Sequence, residues 1–281
     1  MYQKIKNGGS SYDVIFPSDY MVQKMIDNDL LQEIDLNNIT NYKYIEDKFI
    51  NLDYDKENKY SVPYFWGTVG ILYNTTMVDE TVDSWDILWN EKYSGSILMQ
   101  NSVRDAFVVA LKKLGYSINT TDTKELEEAK QLLIDQKPMV LAYVIDEARD
   151  KMIGNEAALA VIYSGEAVIT KESNPDLEYV VPKEGSNIWF DAIAIPKSAK
   201  HIKEAEMFIN FLTRPDIAYK ITEYVGYSSP NSGVKELMSG EQLSNKGNYP
   251  DEETINKCEV FRDLGEYNRL YEDRWTEVKA K

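Results

Sequence analysis

Apolar residues along this chain follow two alternating rhythms: short runs that suit buried strands, and positions three or four apart that suit one face of a helix. Residues 12–17, Tyr-Asp-Val-Ile-Phe-Pro, form the first run and predict a strand closed by proline; Ser18, Asp19 and Tyr20 then lead into the helical spacing Met21, Met25, Ile26, Leu30. Ahead of them, 1–9 read as the last turn of a helix with a glycine cap, which predicts further chain upstream. From Tyr60 to Tyr73 the apolar positions are dense but broken by Pro63, Gly67 and Gly70. That predicts extended backbone with a bend, and a passage between two lobes near Gly67.

The pattern next predicts a helix over 84–89, a strand over 96–99, and a helix over 103–114 that Gly115 ends. Asp122-Thr123-Lys124-Glu125 has the form of a capping box opening a helix over 125–135. A strand over 139–144, a helix over 147–152 and a strand over 158–163 follow. Residues 177–182 and 188–195 are rich in strand formers. Helices are expected over 205–212 and 216–225, separated at Arg214-Pro215, and over most of 252–281 with a break at Gly265.

Strands alternating with helices imply α/β layers with largely parallel sheets. The 281 residues suffice for about two domains or one large one. No repeat or low-complexity linker divides the chain, so the expected lobes share several crossings: 1–66 with 191–238, and 67–190 with 239–281. No apolar run approaches the roughly 18 residues of a membrane-spanning helix, and no basic stretch leads into an apolar one.

Charge and rare residues narrow the chemistry. Forty-seven acidic against 31 basic residues leave a net charge of -16, which repels nucleic acid and anionic lipid and favours small cations. The lone Cys258 excludes an internal disulfide, a cysteine cluster and a CxxC pair. The single histidine, His201, makes Cys-His pairs and multi-histidine zinc sites untenable and reads as a solvated helix-start residue. There is no glycine-rich phosphate loop, no GxSxG and no metal-ligand spacing, so no cofactor is expected.

What remains is aromatic residues beside carboxylates where strands hand over to loops: Ser18-Asp19-Tyr20, Arg104-Asp105, Tyr163-Ser164-Gly165 and Trp189-Phe190-Asp191. In open α/β sheets ligands bind at such strand ends. Trp189 and Asp191 share one face of their strand by its period of two. An aromatic plate beside a carboxylate suits an amine: the ring face attracts the cation and the carboxylate accepts its hydrogens. Plainer roles stand beside this one. Trp189 and Tyr163 fit a core, Tyr20 a packing role at its helix start, Asp105 its own helix N-terminus and Tyr227 a turn, whereas a buried Asp191 requires a partner. Trp66, Trp85, Trp89 and Trp275 are assigned to packing.

Taken in order, these segments resemble the spermidine/putrescine-binding proteins of bacterial polyamine ABC importers. The resemblance rests on Tyr12-Asp13-Val14-Ile15-Phe16-Pro17-Ser18, Tyr60-Ser61-Val62-Pro63-Tyr64-Phe65-Trp66-Gly67, Lys183-Glu184-Gly185 leading to 189–196, Phe208 to Asp216, and Gly226-Tyr227 with Pro230-Asn231. It implies a two-lobed, type II periplasmic-binding-protein fold with a mainly parallel sheet in each lobe and crossing hinge strands. It also implies a protein that closes on a polyamine, performs no catalysis and presents its closed form to a membrane permease. Such proteins work outside the cytoplasmic membrane, free in a periplasm or tethered by a lipid.

By position in the resemblance, Tyr20, Trp189, Asp191 and Tyr227 match pocket residues, with Asp191 taking an amino group in the middle of the ligand. Asp105 stands where the family has a glutamate, and Tyr163 where it often has tryptophan. Ser102 replaces a first acid and Phe261 a polar amide, which leaves the choice of spermidine or putrescine open. The family's opening strand and an aromatic-acidic pocket segment would lie before Met1, which implies weaker affinity for this chain. Two other readings stay in view: the same fold holding another cationic metabolite or an amino acid, and a glycosidase using Asp105 and Asp191.

Overall fold

A computed structural model describes residues 1–8 and 11–281. Its regular elements begin with α1 (Tyr2–Lys6), α2 (Asp19–Asp27), β1 (Ser61–Asn74), β2 (Ile97–Gln100), α3 (Val103–Lys113), α4 (Thr123–Gln136), β3 (Val140–Val144) and α5 (Glu147–Ile153). They continue with β4 (Leu159–Tyr163), α6 (Ser164–Ser173), β5 (Leu177–Val180), β6 (Ile188–Ala194), α7 (Ile202–Leu212) and α8 (Pro215–Val225). Last come α9 (Ser232–Lys235), α10 (Gly240–Ser244), α11 (Glu252–Ile255) and α12 (Asn268–Ala280). Two compact units result: Met1–Trp66 with Trp189–Ser244, and Gly67–Ile188 with Asn245–Lys281. The chain therefore passes between them three times, inside β1, inside β6 and after α10.

The second unit is a sheet between two helical layers. Its strand order is β3-β2-β4-β1-β5, with β6 also pairing β1. The period of two sorts each strand by face. Ile97, Met99, Leu159 and Val161 join Phe107, Leu126, Tyr271 and Trp275 in one core, which α3, α4 and α12 cover. Leu98, Ala160 and Ile162 join Ala148, Met152 and Ala167 from α5 and α6 on the opposite face. β2 runs parallel to β3 and β4, whereas β1 is antiparallel to β4 and β5, so the sheet is mixed. The physical reason is connectivity: β2, β3 and β4 are joined through helices, whose crossovers demand parallel strands, while β1 enters as a crossing strand free of that constraint.

Trp85 lies at the heart of this unit, fully buried, with its indole N–H donated to the Gly185 carbonyl at 2.9 Å. Gly185 has φ +86°, and a Cβ there would fall 2.0 Å from the Lys257 carbonyl oxygen, so glycine is required on two counts. The tail is less helical than its composition predicts. Around Glu259 it is extended, because Glu259 exchanges backbone bonds with Ser186 and Ile188 at 2.9 and 3.0 Å while its carboxylate accepts from Lys112 at 2.5 Å. α6 escaped the sequence pattern because its buried positions are the small residues Ser164, Gly165, Ala167 and Thr170. Asp122 caps α4 by accepting from the Lys124 N–H at 2.7 Å, but Glu125 turns to the Thr120 hydroxyl, so only half of the capping box forms.

In the first unit, Val62 from β1 and Ile193 from β6 pack with Ile34, Ile39, Ile195, Ala205, Ile209 and Leu212. The expected strand over 12–17 is extended but pairs with β6 only through single bridges, Ile15 to Ala194 and Ser18 to Asp191. Pro17 explains the gap: its carbonyl accepts the Ala192 N–H at 3.0 Å, yet it has no N–H to return. His201 flanks the start of α7, exposed as expected, with Nδ1 2.8 Å from Asp13, whose carboxylate also accepts the backbone N–H groups of Lys200 and His201.

That contact raises the His201 pKa, chiefly through the Asp13 hydrogen bond, and lowers the Asp13 pKa by the same bond. The stability it contributes is complete below the usual histidine value of 6.5 and is lost as pH rises through the elevated one. NMR titration should give a His201 midpoint above 6.5 that Asp13→Asn returns towards it; an unchanged midpoint in Asp13→Asn would refute the pairing.

Candidate functional site

Each unit gathers part of the expected residues. In the first, β6 turns Phe190 and Ala192 into the core and leaves Trp189 and Asp191 half-buried on the other face, as a strand must. Trp189 meets Tyr227 edge to face, with ring centroids 5.0 Å apart and planes at 86°. Tyr227 follows Gly226, whose φ of 77° ends α8 and turns the chain back. The aromatic surface continues from Tyr227 through Phe65 and Tyr64 to Phe16. Asp191 accepts a hydrogen bond from Ser18, and burial raises its pKa above the ordinary 3.8 against that bond. Tyr20 is 40% exposed in the first turn of α2, two residues from Ser18.

The second unit holds a smaller set. Asp105, 5% exposed in the first turn of α3, accepts from the Tyr163 hydroxyl at 2.8 Å and from Ser102. Burial raises its pKa, and these two bonds oppose the rise. Ser102, Asp105 and Tyr163 are thus brought together. Phe261 is not joined to them directly: it lies under the Arg104 guanidinium, 4.4 Å from it, with Tyr271 at 4.9 Å as a second ring. Arg104 also donates to the Ile118 carbonyl at 3.0 Å and to Asn119 at 2.9 Å, so this cation has anchors within its own unit.

Two acids lifted by burial, each flanked by tyrosine or tryptophan, are suited to a cation, because an ammonium supplies counter-charge to Asp191 and adds to the partial offset that Arg104 already gives Asp105. Two neighbours were given no site role from sequence. Asp19, 1% exposed, accepts the Phe190 N–H at 3.0 Å. Tyr54, 6% exposed, has its phenol pKa pushed up by burial and then by Asp19, Asp55, Tyr42 and Asp191. Asp19 stood in a segment that the sequence highlighted; Tyr54 lies in a polar loop with no pattern to reveal it. Among the described residues, no group of three His, Cys, Asp or Glu could hold a metal ion. Among them also, no helix is long and apolar enough to cross a membrane.

Two α/β units sharing three chain crossings, with aromatic and acidic residues beside the crossing strand β6, define the class of two-lobed solute-binding proteins. Residues 3–250 match the bacterial extracellular solute-binding protein family, and the chain belongs to it. It is similar to the spermidine/putrescine-binding periplasmic protein of Salmonella typhimurium, 39% identical over 282 residues that span all of this chain and 81% of that one. The solved spermidine/putrescine substrate-binding protein of Streptococcus pneumoniae superposes with a TM-score of 0.92 at 44% identity, over all of this chain and 87% of that one. A putative spermidine/putrescine transporter protein of Listeria monocytogenes gives 0.93 at 41% identity, over 99% and 87%. The chain is accordingly a solute-binding protein and not an enzyme, which removes the glycosidase reading.

Proposed function

We propose that this protein captures a polyamine, spermidine or putrescine, outside the cytoplasmic membrane and delivers it to the permease of an ABC importer. The observation that carries this reading is Asp191: a half-buried acid with a raised pKa, on the strand face of Trp189, whose ring meets Tyr227 edge to face. The ligand-binding set is Tyr20, Trp189, Asp191 and Tyr227 from the first unit and Ser102, Asp105, Tyr163 and Phe261 from the second. Relatives named for spermidine, putrescine or both support the ligand class. A lipid tether or a free periplasmic form both agree with this role.

Several charge-assisted hydrogen bonds of roughly 1.5–3 kcal/mol and a cation-π contact of about 2, less an association cost of at least about 4, leave on the order of micromolar affinity. Isothermal titration calorimetry with each amine tests this. One-to-one binding at about that strength is expected, and the absence of heat with both would reject the amine reading.

Affinity should depend on pH with a definite sign. Asp105 and Asp191 have pKa values raised by burial, and an ammonium binds their ionised forms. Binding is therefore strongest above those raised values and weakens as pH falls through them, beginning above the usual 3.8. The unliganded fold responds oppositely: it loses stability as pH rises through the same interval, since the folded state holds these protons more tightly. Titrations carried from neutral pH down to the usual carboxylate value of 3.8 that showed affinity constant or rising on acidification would contradict the assignment.

A further inference from the structure

Residues 15–20 run antiparallel to β6 with Ile15 opposite Ala194 and Ser18 opposite Asp191, which sets Asp19 opposite Phe190. Down this register the two-way exchange of backbone bonds becomes one-sided. Ile15 and Ala194 exchange two bonds, each 2.9 Å, and Pro17 supplies only an acceptor to Ala192 at 3.0 Å. At Asp19 the chain has already entered α2, where its backbone carbonyl points along the helix and not towards β6. The Phe190 N–H is met there by the Asp19 side chain: Oδ2 accepts it at 3.0 Å, while Oδ1 accepts the Tyr20 N–H at 2.6 Å. The carboxylate is 1% exposed, unlike the solvated acid that ordinarily opens a helix.

This single group joins the centres of two tripeptides whose outer residues are the site residues Tyr20, Trp189 and Asp191 and the Asp191 partner Ser18. Ser18 and Tyr20 flank Asp19; Trp189 and Asp191 flank Phe190. We propose that Asp19 is the positioning residue of the first unit's half-site, its carboxylate clasping β6 to the start of α2 and so setting the Trp189–Asp191 face against Ser18 and Tyr20. The ligand consequence rests on the reading that this half-site takes an amine; the clasp itself does not. Two N–H groups converge on the carboxylate, so two acceptor oxygens are needed. Asparagine offers one acceptor and one donor and meets the second N–H with an N–H of its own.

The test compares wild type, Asp19→Asn and Asp19→Ala, with Asp191→Asn as the ligand control. It uses amide hydrogen exchange at Phe190 in the unliganded protein and calorimetric titration of spermidine well below the melting temperature. Expected are Phe190 exchange at least about tenfold faster in both Asp19 variants and spermidine affinity about tenfold weaker. Asp19→Asn, of nearly the same volume, decides the matter where Asp19→Ala does not fold. Unchanged Phe190 exchange in Asp19→Asn overturns the proposal, as does faster exchange with affinity kept, which would reduce Asp19 to a fold-stabilising residue. If wild type takes up no amine while Asp19→Asn still releases Phe190, the clasp stands and the amine reading is what fails.

Discussion

Replacing Asp191 by asparagine is expected to weaken polyamine binding by roughly thirtyfold or more, because truncating one member of a buried charge pair costs about 2–5 kcal/mol. The side chain keeps its shape and can keep a hydrogen bond with Ser18, so the loss is one of charge. Desolvation is the largest influence on this carboxyl, and a neutral amide avoids it, so the unliganded variant should melt no lower than wild type. Lost binding with unchanged melting is thus the expected pair of results from calorimetry and thermal unfolding. Affinity within a factor of about three of wild type would remove Asp191 from the centre of the site and leave Asp105 as the candidate anchor.

Trp85→Ala is expected to produce the largest loss of stability, about 3–5 kcal/mol from the emptied volume and about 1 more from the indole hydrogen bond to Gly185. The ring is fully buried among Leu88, Phe107, Val109 and neighbouring residues of the second unit's core. Trp85→Phe should recover most of the packing but not the bond, which leaves the Gly185 carbonyl without the indole donor. Denaturant unfolding of the three proteins checks the order, wild type above Trp85→Phe above Trp85→Ala. A Trp85→Ala cost below about 1 kcal/mol would mean that the cavity collapses or fills with water.

Much of this arrangement was legible before any coordinates. Period-two and helical spacings located β1, β2, β3, β4, α3, α7 and α8 to within a few residues, because each buries a face of its own against a core. The same rule put Trp189 and Asp191 on one face; separately, the four other tryptophans, assigned to packing, are buried at Trp66, Trp85 and Trp275 and packed against the core at Trp89. Elements without an apolar face of their own were harder. α6 packs through small residues, and the extended stretch around Glu259 exists only because Asn187 pairs with it from 72 residues away.

Residue types and their order along the chain thus determined the α/β class and the positions of the acids and aromatics on which the proposed amine site rests. The tertiary structure alone decided which of them meet: Tyr163 with Asp105, Trp189 with Tyr227, Phe261 with Arg104, and Asp19 with the backbone of Phe190. The division has a physical cause. Burial periodicity is a local property that every turn of helix or pair of strand residues repeats, so sequence carries it redundantly. A contact between residues 171 positions apart, as between Asp19 and Phe190, depends on the register of two segments and on where a proline and a helix start interrupt their pairing.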